Sequence, residues 1–233
     1  MVLDIIKRLG PTSVLALATL VMPPLGSIVL IAHMDRLGQW LGGHSFEGVL
    51  LYSAGFALCS GVALLPTYAS AILGGWAFGF EVGFAAALVG FAGGSMIGYE
   101  IAGRAAGDRV ERLFSEHPKW MTVRDALLRS GFVKTILIIA LVRLPPNSPF
   151  ASTNLVLGSL KVGRAVFLIG TLLGMAPRTG VVVYLAVQLR DQIASAAADR
   201  VPWWYWIFSL ALALAIMALL YQIGKRGLRH ATT

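Results

Sequence analysis

Two arginines stand where the chain is otherwise apolar, and they are the residues best placed to do chemistry. Arg143 opens the run Arg143-Leu144-Pro145-Pro146-Asn147-Ser148-Pro149, and Arg178 falls beside Pro177 inside the apolar stretch 161–188. A guanidinium within a bilayer costs at least about 2.5 kcal/mol on insertion scales, so it is rarely kept there without a partner or an anionic ligand. Its planar fork of donors matches a phosphate. A competing reading has Arg143 bonding carbonyls freed in its own proline loop, and Arg178 snorkelling or pairing with an acid. Other chemistry is not encoded. The phosphate-binding glycine loop and the dinucleotide fingerprint are missing, and no serine sits in a nucleophile elbow. His33, His44, His117 and His230 lack metal-ligand spacing. The expectation is no enzyme, no metal and no cofactor.

The elements that must hold the arginines follow from composition. The 233 residues are 57% hydrophobic and 13% charged, with mean hydropathy +0.76, whereas a soluble domain carries about 25% charged residues. This is the composition of an all-α, polytopic membrane protein. The single cysteine, Cys59, excludes a disulfide framework or a cysteine metal cluster. The net charge of +8 reads as basic cytoplasmic loops. Nucleic acid is not expected, because no basic patch is interleaved with aromatics.

Along the chain, a first helix over 9–32 is kinked at Pro23-Pro24 and followed by a polar segment, 33–46, read as a loop. Residues 48–65 and 69–80 are apolar pieces separated by Pro66-Thr67-Tyr68, and 81–103 is long enough to span. Residues 104–134 hold seven Lys or Arg and apolar positions at helical spacing, as in helices lying on a membrane surface. A second broken pair, 132–142 and 150–160, flanks the proline run; 161–188 and 201–223 are full spans, the last opening with Trp203-Trp204-Tyr205-Trp206. Pro66 and the Pro145 run lack the N–H groups of a continuing helix, so each pair reads as a re-entrant hairpin. With both hairpins re-entrant, fourteen of the nineteen cations fall on one face, and both termini are cytoplasmic. The domain reading is an N-terminal helix and loop (1–47), a central domain (48–188) and a C-terminal helix with a basic tail (189–233).

Shifting the chain by 84 residues aligns 66–102 with 150–186 at eight identical positions, where about four would match by chance in so apolar a window. Gly74, Gly79 and Gly90 align with Gly158, Gly163 and Gly174. Because each copy is one hairpin plus one crossing, the second begins on the opposite face, an inverted-topology repeat. Gly90, Gly94, Gly98, Gly170 and Gly174 form small-residue faces for close helix packing. Glu100 and Arg104 are one helical turn apart and are expected to pair.

The run Leu65-Pro66, Ala71 to Gly79, Gly90 to Gly94, Tyr99 and Gly103-Arg104 resembles the first half of a VTT domain, the unit of the SNARE-associated Golgi protein family in the DedA superfamily. Arg143-x-Pro145-Pro146-x-x-Pro149-Phe150, Asn154, Gly158, Phe167, Thr171, Gly174 and Pro177 resemble the second half in order. The resemblance covers about 48–188. It implies two re-entrant hairpins and movement of lipids between leaflets, with Arg143 matching the arginine that such proteins carry at the second hairpin. The chain lacks the acidic residue that bacterial DedA proteins have at the first hairpin, and has Asn147-Ser148-Pro149 where they carry a further arginine. Both departures weigh against proton coupling.

The leading expectation is therefore an inner-membrane transporter or scramblase of anionic, phosphate-bearing lipids. Headgroups would enter a polar groove between the hairpin tips. Arg143 and Arg178 would meet the phosphate, Asn147 and Asn154 would supply amide bonds, and Pro66, Thr67, Tyr68, Pro145, Pro146 and Pro149 would line the tips. Gly74, Gly79, Gly90, Gly94, Gly158, Gly174, Pro177, Glu100 and Arg104 would hold the frame. Partners are membrane lipids, with a homo-oligomer allowed. Two other classes remain open at this point, a small-oxyanion transporter and a non-transporting assembly factor.

Overall fold

The computed structural model describes residues 22, 24–105, 131–145, 150–196, 211, 214–223 and 225–226. Among them no strand occurs. The helices are α1 (24–32), α2 (Met34–Gly43), α3 (Ser45–Gly61), α4 (Thr67–Ala105), α5 (Phe132–Arg143), α6 (Phe150–Ser159), α7 (Arg164–Ala196) and α8 (Leu214–Ile223). Two are long and apolar enough to cross a membrane, α4 and α7, each with mean hydropathy 1.7 over its best window. Most of the surface helix 104–134 and of the first and last spans expected from sequence lies outside the described residues.

Residues 34–43, expected as a loop, are helical. Met34, Leu37 and Leu41 recur at helical spacing, and Gly38 lets the helix close on Trp76 of α4, whose ring carbon lies 2.6 Å from where a Cβ would stand. Tertiary contact with α4 decides the conformation of this short, weakly apolar stretch.

Two runs of chain share one element order. In the first, α3 ends at Gly61 and α4 starts at Thr67; Gly79 then breaks α4 into 67–78 and 80–105. In the second, α5 ends at Arg143, α6 is the short helix, and α7 follows after residues 160–163. The ends of α3 and α6, which are not equivalent positions of the two runs, close in the same way. Leu64 N–H donates to Cys59 O (2.7 Å) with Ala63 at φ 60, and Val162 N–H donates to Leu157 O (3.4 Å) with Lys161 at φ 52. Both are Schellman closures, made here without the usual glycine. One packing contact does repeat at the offset of 84. A Cβ on Gly90 would meet Phe56, and a Cβ on Gly174 would meet Ala140 O and Arg143 Cβ. Helix α4 is the hub, in contact with α2, α3, α6 and α7, while α5 packs on α7.

Two polar contacts tie down the breaks. Tyr52 Oη donates to Ser70 O (2.8 Å) and Tyr99 Oη to Val162 O (2.5 Å), both buried. Gly79 (φ 78, ψ −172) lies in a region open essentially to glycine alone. The break frees Trp76 O, which accepts from Arg190 Nη1 at 2.9 Å.

A Cβ at Gly79 would touch nothing within 4 Å, so Gly79→Ala isolates the backbone penalty. It is expected to destabilise by about 1–3 kcal/mol, whereas Gly55→Ala, inside α3 with equally open space, should be neutral or stabilise by up to about 1 kcal/mol. Thermal unfolding in detergent measures both.

Candidate anion-binding site

The two arginines converge. Arg143 ends α5, where a cation is favoured by the helix dipole, and Gly174 of α7 lets it approach closely. Its Nη2 donates to Asn154 Oδ1 on α6 at 2.5 Å and its Nη1 to Phe150 O at 3.4 Å. The guanidinium carbon lies 5.1 Å from the Phe150 ring centroid and 5.5 Å from that of Phe167. Gly98 of α4 backs Asn154, since a Cβ there would stand 2.8 Å from Nδ2.

Arg178 joins the two breaks. Its Nη1 donates to Pro145 O (3.2 Å) from the second break, and its guanidinium sits 5.4 Å from the Tyr68 ring at the start of α4. Arg143 and Arg178 are 1% and 2% exposed.

Neither cation has a carboxylate partner among the described residues. The acids there are Asp35, Glu47, Glu81, Glu100 and Asp191; Glu100 is half-buried and the rest are exposed. Glu100 is occupied elsewhere. It lies 3.7 Å from Arg104, the i,i+4 partner, and accepts from Arg164 Nε at 2.6 Å. Arg143 Nε and Asn154 Nδ2 are buried without a hydrogen-bond partner, and so are Thr171 Oγ1 and Thr179 Oγ1 on α7, the helix that carries Arg178. Orphaned buried donors cost about 1–3 kcal/mol each, more when charged. The centre therefore has donors to spare and a net positive charge in a dry setting, where electrostatics is strong. A tetrahedral oxyanion would satisfy both needs.

Of the residues singled out from sequence, the structure brings together Arg143, Asn154, Pro145, Arg178 and Tyr68. Pro66 and Thr67 precede Tyr68 directly but make no polar contact with either arginine; Pro66 O accepts from Ser70 Oγ. Pro146, Asn147 and Pro149 lie outside the described residues. Pro177, at mid-helix in α7, is exposed. The frame glycines sit at close contacts: Gly74 beside Tyr52, Gly94 beside Ser60 and Gly158 against Tyr99 O. Both arginines are buried, with the rings of Phe150, Phe167 and Tyr68 beside their guanidiniums; the tip of the second break, 146–149, where a groove was expected, lies outside the described residues. The carbonyl bonds of the competing reading are present, yet they leave Arg143 Nε unsatisfied. Sequence reasoning missed Thr179 and the roles of Arg164 and Arg190. The first was legible only as a hydroxyl next to Arg178; the others depend on partners 64 and 114 positions away.

Two apolar helices of spanning length, α4 after the Pro66 break and α7 carrying the buried Arg178, are the features of a helical membrane protein. Residues 65–188 match the family model described as VTT domain, and the chain belongs to that family. No curated protein and no solved structure matches it.

Asn154→Ala removes the acceptor of a charged bond and is expected to cost about 1.5–3 kcal/mol. Arg143→Lys should cost a similar amount, because an ammonium cannot reproduce the fork that reaches Asn154 and Phe150 O. Asn154→Asp, which brings a carboxylate to Arg143, should be the better tolerated change at that position. Unfolding midpoints of the three variants decide the order.

Proposed function

We propose that the protein moves anionic, phosphate-bearing lipids between the leaflets of the bacterial inner membrane. The observation that carries the reading is the pair of buried guanidiniums without a carboxylate partner among the described residues. In the membrane such charges are kept for anionic substrates or relays. Arg143 and Arg178 contact the phosphate, and Asn154 Nδ2, Thr171 and Thr179 supply further hydrogen bonds. Acyl tails stay in the bilayer.

The two helix–break–helix units are re-entrant hairpins related by inverted topology, an arrangement that sets substrate sites near the midplane. The repeated element order and the packing contact repeated at the same offset support this. The buried centre is one end of a transport cycle. A headgroup reaches the arginines when the contacts of Arg178 with Pro145 O and Tyr68 part, and its phosphate replaces the carbonyl as acceptor. Both termini are cytoplasmic, which places Lys161 and Arg164 on that side.

Reconstitution in vesicles with fluorescent anionic lipids tests the reading. Exchange faster than in protein-free vesicles is expected, with Arg143→Ala and Arg178→Ala each slowing it by about tenfold or more, the equivalent of ~1.4 kcal/mol of barrier. No acceleration with any anionic headgroup would sink the proposal. Uptake of inorganic phosphate that needs Arg143, without lipid exchange, would favour a small-oxyanion transporter instead.

A further inference from the structure

Away from the arginine centre, α1 and α2 meet at His33 and enclose an open cleft of about 720 Å³ against Leu64 and Leu65 of the first break. That volume falls in the roughly 300–1,000 Å³ range of ligand pockets. Its floor is carbon, including Met22, Leu25, Val29, Leu37 and Trp40, and its polar side chains are His33 and Arg36. His33 Nδ1 is bonded to Val29 O at 3.0 Å, and Arg36 is the arginine among the lining residues. Arg36 is exposed and forms no ion pair among the described residues; neighbouring Asp35 does not line the cleft. A smaller cleft of about 290 Å³ shares Leu30, Trp40 and Leu65 with the first and extends the apolar track to Leu73 and Ser70 at the start of α4.

A long apolar trough with one unpaired cation at its lip is complementary to a single chemical class, an amphiphile with an apolar chain and an anionic head. We propose that this cleft is a binding site for an anionic lipid, one acyl chain lying along the floor and the phosphate-bearing headgroup resting on Arg36. Except for Leu65, the lining of the larger cleft lies outside the matched VTT domain. The site is thus separate from the arginine centre and does not depend on transport there. Its place beside the first break makes it a holding position for lipid next to that centre.

A photoreactive benzoylphenylalanine at Val29, 63% exposed and part of the cleft wall, tests the proposal in vesicles of phosphatidylcholine containing phosphatidylglycerol. After irradiation, intact-mass analysis identifies the adducts. Phosphatidylglycerol adducts are expected to be enriched over its bilayer fraction by about fivefold, the equivalent of the ~1 kcal/mol that one cation gives near an anionic surface. Arg36→Gln should abolish the enrichment and Arg36→Lys should keep most of it. Adducts in proportion to bilayer composition, whatever residue is at 36, would overturn the site and mark ordinary surrounding lipid. Adducts to the protein itself would also overturn it, showing the cleft to be filled by chain. Enrichment without any leaflet exchange would leave this site standing while sinking the transport reading.

Discussion

The structure depends on one constraint, the burial of two guanidiniums in an apolar interior with no acid beside them among the described residues. Each costs several kcal/mol unless its donors are met, and the surrounding elements supply acceptors for some of them and leave others, Arg143 Nε among them, without one. The C-terminal end of α5, the first turns of α6, the carbonyl of Pro145 and the rings of Phe150, Phe167 and Tyr68 all turn toward these two side chains. The breaks in the helices are part of the same solution. A continuous helix would have no carbonyl to spare for Arg178, and Pro145 supplies one.

The two halves of the domain share an order of helices and differ in charge. At the offset of 84, Cys59 and Gly94 stand where the second half has Arg143 and Arg178. Gly94 packs against Ser60, whose buried hydroxyl has no partner. At these two positions the first half has a packing contact and the second half carries both cations. Arg178 alone reaches across, since its guanidinium touches Tyr68 from the first half and Pro145 from the second.

Much of this was legible because the exceptions are conspicuous in an apolar chain. Arg143, Arg178 and the prolines stand out by type, and glycines in register at a fixed offset announce close packing before any coordinate is known. Gly79 was legible as a member of that register, although its role as the only break within α4 was not, since glycine in an apolar run equally signals packing. The helix at 34–43 was hidden because Asp35 and three glycines lower its local preference, and contact with α4 overrides it. The Arg164–Glu100 bond and the hold of Arg190 on Trp76 O were invisible because no local periodicity links residues so far apart. The aromatic rings beside both guanidiniums were not legible, because sequence shows which polar groups a break holds, and not which rings lie next to them.

The central claim is that lipid phosphate supplies the charge that Arg143 and Arg178 lack. Solid-state magnetic resonance of the arginine-labelled protein in anionic-lipid bilayers measures it directly, through dephasing of guanidinium nitrogen by lipid phosphorus. The account predicts dephasing of signals that disappear in the Arg143→Ala and Arg178→Ala variants. Dephasing that is unchanged in both, or lost only when surface arginines such as Arg104 and Arg164 are replaced, would contradict it.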